Sequence, residues 1–133
     1  WRYLEAWTSD EGDSIRWDRD NSPPESTPGT SRAIGSGYEN TYTAMSGDDY
    51  RAALNARNAT HGGYTDWFLP SADELVEMYD HRGDIGGFAE DFYWSSSESS
   101  PCCALEVYFS DIGGSPSGLV KDAQISVRVA RRF

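Results

Sequence analysis

The stretch Gly62-Gly-Tyr-Thr-Asp-Trp-Phe-Leu-Pro70 runs directly into Ser71-Ala-Asp-Glu74, and this junction limits the possible folds more than any other feature. Gly62-Gly63 reads as a turn, and the residues after it as an aromatic extended stretch that Pro70 ends. The Ser71 hydroxyl can accept from the Glu74 amide while the Glu74 carboxylate reaches back, a capping box that fixes a helix start. Leu75, Met78 and Tyr79 then mark one buried helix face, with the helix expected to end before Gly83. The chain therefore passes from extended backbone to helix at a fixed point, and this helix is expected to be structural.

Other elements assemble around that junction. Residues 1–7 alternate like a strand, and because Trp1-Arg-Tyr-Leu-Glu-Ala reads like the middle of one, the chain is expected to be excised from a longer protein. Residues 8–37 are rich in Ser, Asp, Gly and Pro, with Ile15, Trp17 and Ile34 as apolar anchors of a long surface loop. From 38 to 59 the pattern is helical, marked by Ala44, Tyr50, Ala53, Leu54 and Ala56. Ser46-Gly47-Asp48-Asp49 interrupts it, and Ser46 or Asp48 is expected to cap the second segment. A strand starts at Phe92. From 104 to 109, Leu105, Val107 and Phe109 are expected to face the core, and Ala104, Glu106 and Tyr108 to face outward. Residues 110–122 read as a loop with Leu119 and Val120 exposed, and 125–133 as one closing strand. Strand, helices, then clustered strands give an α+β domain with a mostly antiparallel sheet.

At 133 residues the chain fits one domain, 1–133, that needs neither disulfide nor metal for stability. Its core must be built largely from rings, given five Trp, eight Tyr and five Phe. Trp67, Phe68, Tyr93, Trp94 and Phe109 are assigned to it, their N–H and O–H groups holding loops. A net charge of −11 disfavours nucleic acid and other polyanions as partners. The basic residues Arg128, Arg131 and Arg132 cluster near the end, but alternate with Val127, Val129 and Ala130 like a strand. No apolar run approaches the roughly 20 residues of a membrane span, so membrane insertion is not expected.

Catalytic chemistry is sparse. His61 and His81 lie beside glycine turns without a matched nucleophile, and the many loop acids read as a solvated surface. Cys102 and Cys103 are adjacent, with no third cysteine, and are expected to be unpaired thiols on a loop. Asp18-Arg-Asp20-Asn21 and Asp48-Asp49 offer oxygen ligands without the spacing of a calcium loop. No cofactor and no enzymatic activity are therefore expected; a structural calcium stays open.

Several segments together resemble a known family. They are Trp1-Arg-Tyr-Leu-Glu-Ala, Ile34-Gly-Ser-Gly, Asn40-Thr41, Gly63-Tyr-Thr-Asp-Trp-Phe-Leu-Pro-Ser-Ala-Asp-Glu-Leu75, Gly87-Phe88, Tyr93-Trp-Ser-Ser-Ser-Glu98, and Val127-Arg-Val-Ala-Arg131 followed by Phe133. In that order they resemble the DUF1566 family, which includes the C-terminal domain of the Legionella collagen-like adhesin. The resemblance implies a C-type-lectin-like fold, with two helices packed on a small antiparallel sheet and long loops carrying ligands. Residues 99–126 also resemble the variable region of proteins diversified by retroelements, in which adenine mutation of Asn codons never yields Lys, Glu, Gln, Met or Trp. Only Glu106, Lys121 and Gln124 in this stretch fall outside that rule.

The expected function is thus ligand binding or receptor recognition through a variable face on a lectin-like scaffold. Its partner would be a protein or glycan on another cell or surface. The domain would be displayed on a cell surface or a phage-type particle, or secreted. The residues expected to make contact are Pro101, Cys102, Cys103, Glu106, Tyr108, Ser110, Asp111, Ser115, Ser117, Leu119, Val120, Asp122, Ala123 and Ser126. Tyr108 supplies a rigid ring, Leu119 and Val120 apolar area, and the serines adaptable polar contacts. The competing expectation is an adhesin of fixed specificity for a host glycan or glycosaminoglycan.

Overall fold

The computed structural model describes residues 3–18 and 27–133, and the fold is mixed α+β. The strands are β1 (Leu4–Ala6), β2 (Gly12–Ile15), β3 (Phe92–Ser100), β4 (Cys103–Tyr108), β5 (Ser117–Val120), β6 (Ile125–Val127) and β7 (Ala130–Arg132). The helices are α1 (Gly37–Glu39), which continues into a π-helical turn at Asn40–Ala44, then α2 (Arg51–Arg57), α3 (Ala72–Asp80) and α4 (Arg82–Ile85).

A five-stranded sheet has the order β2-β6-β3-β4-β5, and β1 pairs with β7 in a second, two-stranded sheet. Pairing is antiparallel except between β3 and β6, where Tyr93 lies opposite Ser126 in a parallel bridge. The one closing strand expected over 125–133 is two strands in different sheets, because the chain crosses over at Arg128 and Val129. The expected loop over 8–37 contains β2, and the expected loop over 110–122 contains β5.

Cross-strand register assigns the two faces of the large sheet. Tyr93 lies opposite Val107, and both belong to an apolar cluster with Phe68, Leu75, Met78, Tyr79 and Phe109. Trp94 lies opposite Glu106 on the other face, where Ala104, Trp17, Trp67, Val127 and the α2 alanines Ala52, Ala53 and Ala56 form a second cluster. Helix α3 thus covers one face and α2 the other. The extended stretch at 67–69 runs between them, with Trp67 and Leu69 in one cluster and Phe68 in the other. The five aromatics assigned to the core are all buried.

This two-sided core corrects the reading of β4. Leu105, Val107 and Phe109 are buried as expected, but Ala104 and Glu106 are buried too, because a second cluster occupies the face expected to meet water. Period-two alternation marks an outward face only where nothing packs on it.

The capping box forms as expected: Ser71 accepts from the Glu74 amide and the Glu74 carboxylate accepts from the Ser71 amide at 2.8 Å. The same carboxylate also takes the amides of Gly35 at 3.0 Å and Gly37 at 3.1 Å, which ties the long loop to α3. Gly37 is required here, since a Cβ would clash with the Glu74 carboxylate and the Phe68 ring. Helix α2, by contrast, starts after Tyr50 with no side-chain cap, so neither Ser46 nor Asp48 serves that role. Of the loop anchors, Trp17 is buried and Ile15 half-buried, whereas Ile34 is exposed.

The Tyr93-Trp-Ser-Ser-Ser-Glu98 motif now has a physical account. The β3–β4 register shifts between Trp94 and Glu98, so the three serines leave the regular ladder and bond through their hydroxyls. Ser95 donates to the Leu105 carbonyl at 2.7 Å, Ser96 accepts from Asn40 at 3.0 Å, and Ser97 donates to Ser31 while accepting from the Ala72 amide, both at 2.9 Å. The Trp94 indole donates to the Ile15 carbonyl at 2.8 Å. Together these bonds join β3 to β2, α3 and the long loop.

Candidate functional site

Residues 99–126 form the β3–β4 turn, β4, the turn after it, edge strand β5 and the approach to β6. Beneath them sits Lys121, fully buried, with its ammonium 3.0 Å from Glu98 and 4.8 Å from the Trp17 ring centre. Glu98 also accepts the Gly29 amide at 2.8 Å, and the Lys121 amide donates to the Cys102 carbonyl at 3.1 Å. One ion pair therefore fixes the hairpin tip, the end of β5 and the loop at 29–30.

Above this support, Pro101, Cys102, Asp111, Ser115, Ser117, Val120 and Asp122 are exposed. Tyr108 is half-buried, its ring stacked on the partly exposed Phe92 at 4.4 Å between centroids. Leu119 and Ala123 were expected at the surface, but both are half-buried against the α2-side cluster. Ser110 and Ser126 are buried, Ser126 donating to Asp91 at 2.9 Å. The Ser110 carbonyl accepts from the Tyr79 hydroxyl.

Sequence reasoning missed Ile112, which is 90% exposed at the apex of the turn after β4. The turn is closed by the amides of Gly113 on the Ser110 carbonyl and Gly114 on the Tyr108 carbonyl, both at 3.0 Å. An isolated isoleucine between Asp and Gly-Gly was the available signal. Beside it a cleft of about 550 Å³ opens toward α4, walled by Arg82, Phe88, Phe109, Asp111 and Ile112. The Arg82–Asp111 ion pair, at 3.3 Å, stands across it.

Cys102 and Cys103 are disulfide-bonded to each other, not the unpaired thiols expected from their adjacency. Successive side chains in a strand point to opposite faces, so the bond depends on the turn at 101–102, which brings both sulfurs to one side. A bond across a single peptide removes little chain entropy, since the effect grows with loop length. Reduction with a dithiol is expected to move Tm by no more than about 2–4 °C. It should also speed hydrogen exchange at the Lys121 amide, whose acceptor is the Cys102 carbonyl. Thermal unfolding and amide exchange on the chain, with full reduction verified by mass spectrometry, check both points; unchanged exchange would show that the bond does not brace the tip.

Glu106 is the electrostatic anomaly of the stretch. It is 5% exposed, its Oε2 has no hydrogen-bond partner among the described residues, and burial pushes its pKa up to about 7. It lies opposite Trp94 on one side and Ser117 on the other.

His61, expected at the surface, is half-buried, stacked on Trp7 at 4.5 Å and paired with Glu11. Asp18 is buried with Arg16 at 3.1 Å, Asp48 and Asp49 are exposed, and Asp20 and Asn21 lie outside the described residues. Among the described residues, no three His, Cys, Asp or Glu side chains converge as a metal site, and no helix is long and apolar enough to cross a membrane. The chain matches no protein-family model and no curated protein sequence.

Proposed function

We propose that the chain is a C-type-lectin-like recognition domain of a retroelement-diversified protein, and that residues 99–126 present an interchangeable surface to a protein or glycan partner. The work is binding without a reaction, and display in many copies on a cell surface or particle would add avidity. The scaffold half of this reading draws support from β1–β7 pairing, which brings the first and last strands together, and from two helices flanking a small, mostly antiparallel sheet.

The observation that carries the recognition half is a division of labour. Glu98, Lys121 and the three serines hold the stretch from below, while Ile112 and Val120 project apolar side chains at 90% and 49% exposure and make no core. Side chains placed this way can change without unfolding what supports them. Ile112→Ser and Val120→Ser are each expected to alter unfolding free energy by less than about 0.5 kcal/mol in urea titrations. A larger loss would assign them to the core instead.

The reading itself is tested by sequencing the locus with its flanks from many cells of the source population. Substitutions concentrated between residues 99 and 126 at adenine-containing template positions, with 93–98 and 127–133 unchanged, support a diversified receptor. An even distribution and no nearby template copy overturn it in favour of an adhesin with a fixed glycan target.

A further inference from the structure

We propose that the cleft beside Ile112 is the anchor site of the recognition face, and that it takes a basic side chain, lysine or arginine, projecting from a protein partner. The inference rests on the recognition reading above and narrows its partner from a protein or glycan to a protein with a cationic anchor.

Both walls of the cleft are held from behind. On one side the Arg128 guanidinium donates to the Gly86 carbonyl at 3.0 Å and the Gly87 carbonyl at 2.7 Å, and the Tyr93 hydroxyl accepts the Ala89 amide at 2.9 Å. On the other, the Tyr79 hydroxyl donates to the Ser110 carbonyl, at the start of the turn that carries Asp111 and Ile112. The space of about 550 Å³ therefore stands between braced walls, and little ordering is needed to fill it.

The lining is amphipathic in the way a long basic side chain is. Phe109 lines it from the core at 3% exposure, Phe88 stacks on Phe109 at 4.5 Å between centroids, and Ile112 rises from one side. Lysine and arginine bury their methylene stems along such apolar surface and keep the charged end at its rim.

Charge sets the sign of the guest. Glu90 lines the cleft, is exposed, and holds no hydrogen bond or ion pair among the described residues. Asp111 gives one carboxylate oxygen to Arg82 at 3.3 Å and keeps the other unengaged among the described residues. Arg82 is occupied by Asp111, by the Tyr79 carbonyl at 3.0 Å and by the Tyr79 ring 4.0 Å away, so it offers little to an anion. Two carboxylates against one compensated guanidinium leave the lining negative, and a net charge of −11 draws cations toward it. A glycan hydroxyl can bond to Glu90 but gains nothing from that field. Phe88 and Glu90 lie outside 99–126 while Asp111 and Ile112 lie within it, so one wall of the anchor would stay constant as the other changes.

The test is a nitrogen-15-resolved NMR titration of the whole chain with acetyl-lysine methylamide. Acetyl-norleucine methylamide, which keeps the stem without the charge, and methyl galactoside are the comparators. Saturable shifts at the amides of Glu90, Asp111 and Ile112 are expected with the lysine probe. Affinity should fall about threefold to fivefold for the norleucine probe and for Glu90→Gln, with the difference shrinking at high salt. Glu90 is exposed, so that variant keeps the fold, and its spectrum shows this directly. No saturable shift, equal binding of the norleucine probe, tighter binding of the galactoside, or an unaffected Glu90→Gln would each overturn the proposal. None of these outcomes bears on where substitutions fall in the locus, so the anchor and the wider reading can fail separately.

Discussion

Replacing Arg128 with Ala is expected to destabilise the fold by about 3–5 kcal/mol, the range for breaking one side of a buried, fully bonded ion pair. The guanidinium is completely buried, and nearly every direction around it is occupied. It holds Asp10 at 2.7 Å, the Trp7 carbonyl at 2.8 Å, the Gly86 carbonyl at 3.0 Å and the Gly87 carbonyl at 2.7 Å, with the Phe88 ring 3.9 Å away. Alanine would take this donor from three carbonyls and leave the Asp10 carboxylate, among the described residues, only the Tyr93 hydroxyl at 2.9 Å. Gly87 has φ +74°, and a Cβ there would clash with the Thr8 carbonyl, so the backbone is shaped to bring these oxygens to one cation. Lysine is expected to rescue little of the loss, because one ammonium with three donors cannot replace a planar fork with five. Thermal unfolding of both variants checks this, with Tm expected to drop by roughly 10–20 °C. A drop of only a few degrees would mean that water replaces the guanidinium at no great cost.

Arg128 also shows what the sequence could and could not reveal. Its alternation with Val127 and Val129 reads as part of one strand, whereas Arg128 lies in the crossover between β6 and β7 and is fully buried. The complete local signal held: the capping box at Ser71 and Glu74 needs only four residues, and it formed as expected with its buried face of Leu75, Met78 and Tyr79, whereas the lone cap candidates Ser46 and Asp48 did not cap α2. The aromatic core was equally legible, since rings as large as Trp67 and Trp94 have few other places to go. What stayed hidden was nonlocal. Nothing in residues 104–108 shows that α2, some fifty positions earlier, will cover the face that carries Ala104 and Glu106. The turn that joins Cys102 to Cys103 depends on where β3 ends, and β5 exists because Ser117 to Val120 find an open edge on β4. Exposure within the candidate surface was accordingly legible only in part: Val120 and Ser117 project, Leu119 tucks inward, and the exposed Ile112 went unnoticed.

Glu106 is the opposite of Arg128, a buried charge that lacks partners, and it is expected to make stability fall as pH rises. Burial raises its pKa from 4.5 to about 7, so the folded state holds the proton more tightly than the unfolded chain. The linked stability is complete below pH 4.5 and is lost as pH rises through 7. Two and a half pKa units correspond to about 3 kcal/mol between those limits. No charged side chain on β3 or β5 offsets this: Trp94 and Ser117 lie opposite, and desolvation is the cause of the shift. Glu106→Gln is therefore expected to flatten the urea-denaturation profile between pH 5 and 8 and to exceed the parent by about 3 kcal/mol at the alkaline end. An unchanged slope in the variant would place the titration elsewhere. The same ionisation has a structural direction. A carboxylate formed between Trp94 and Ser117 needs water, and β5, which carries Ser117, is the edge strand of the sheet. Amide exchange at Ser117, Gly118 and Leu119 should then quicken above neutral pH in the parent and not in Glu106→Gln, which would make this edge of the sheet looser in alkaline surroundings than in acidic ones.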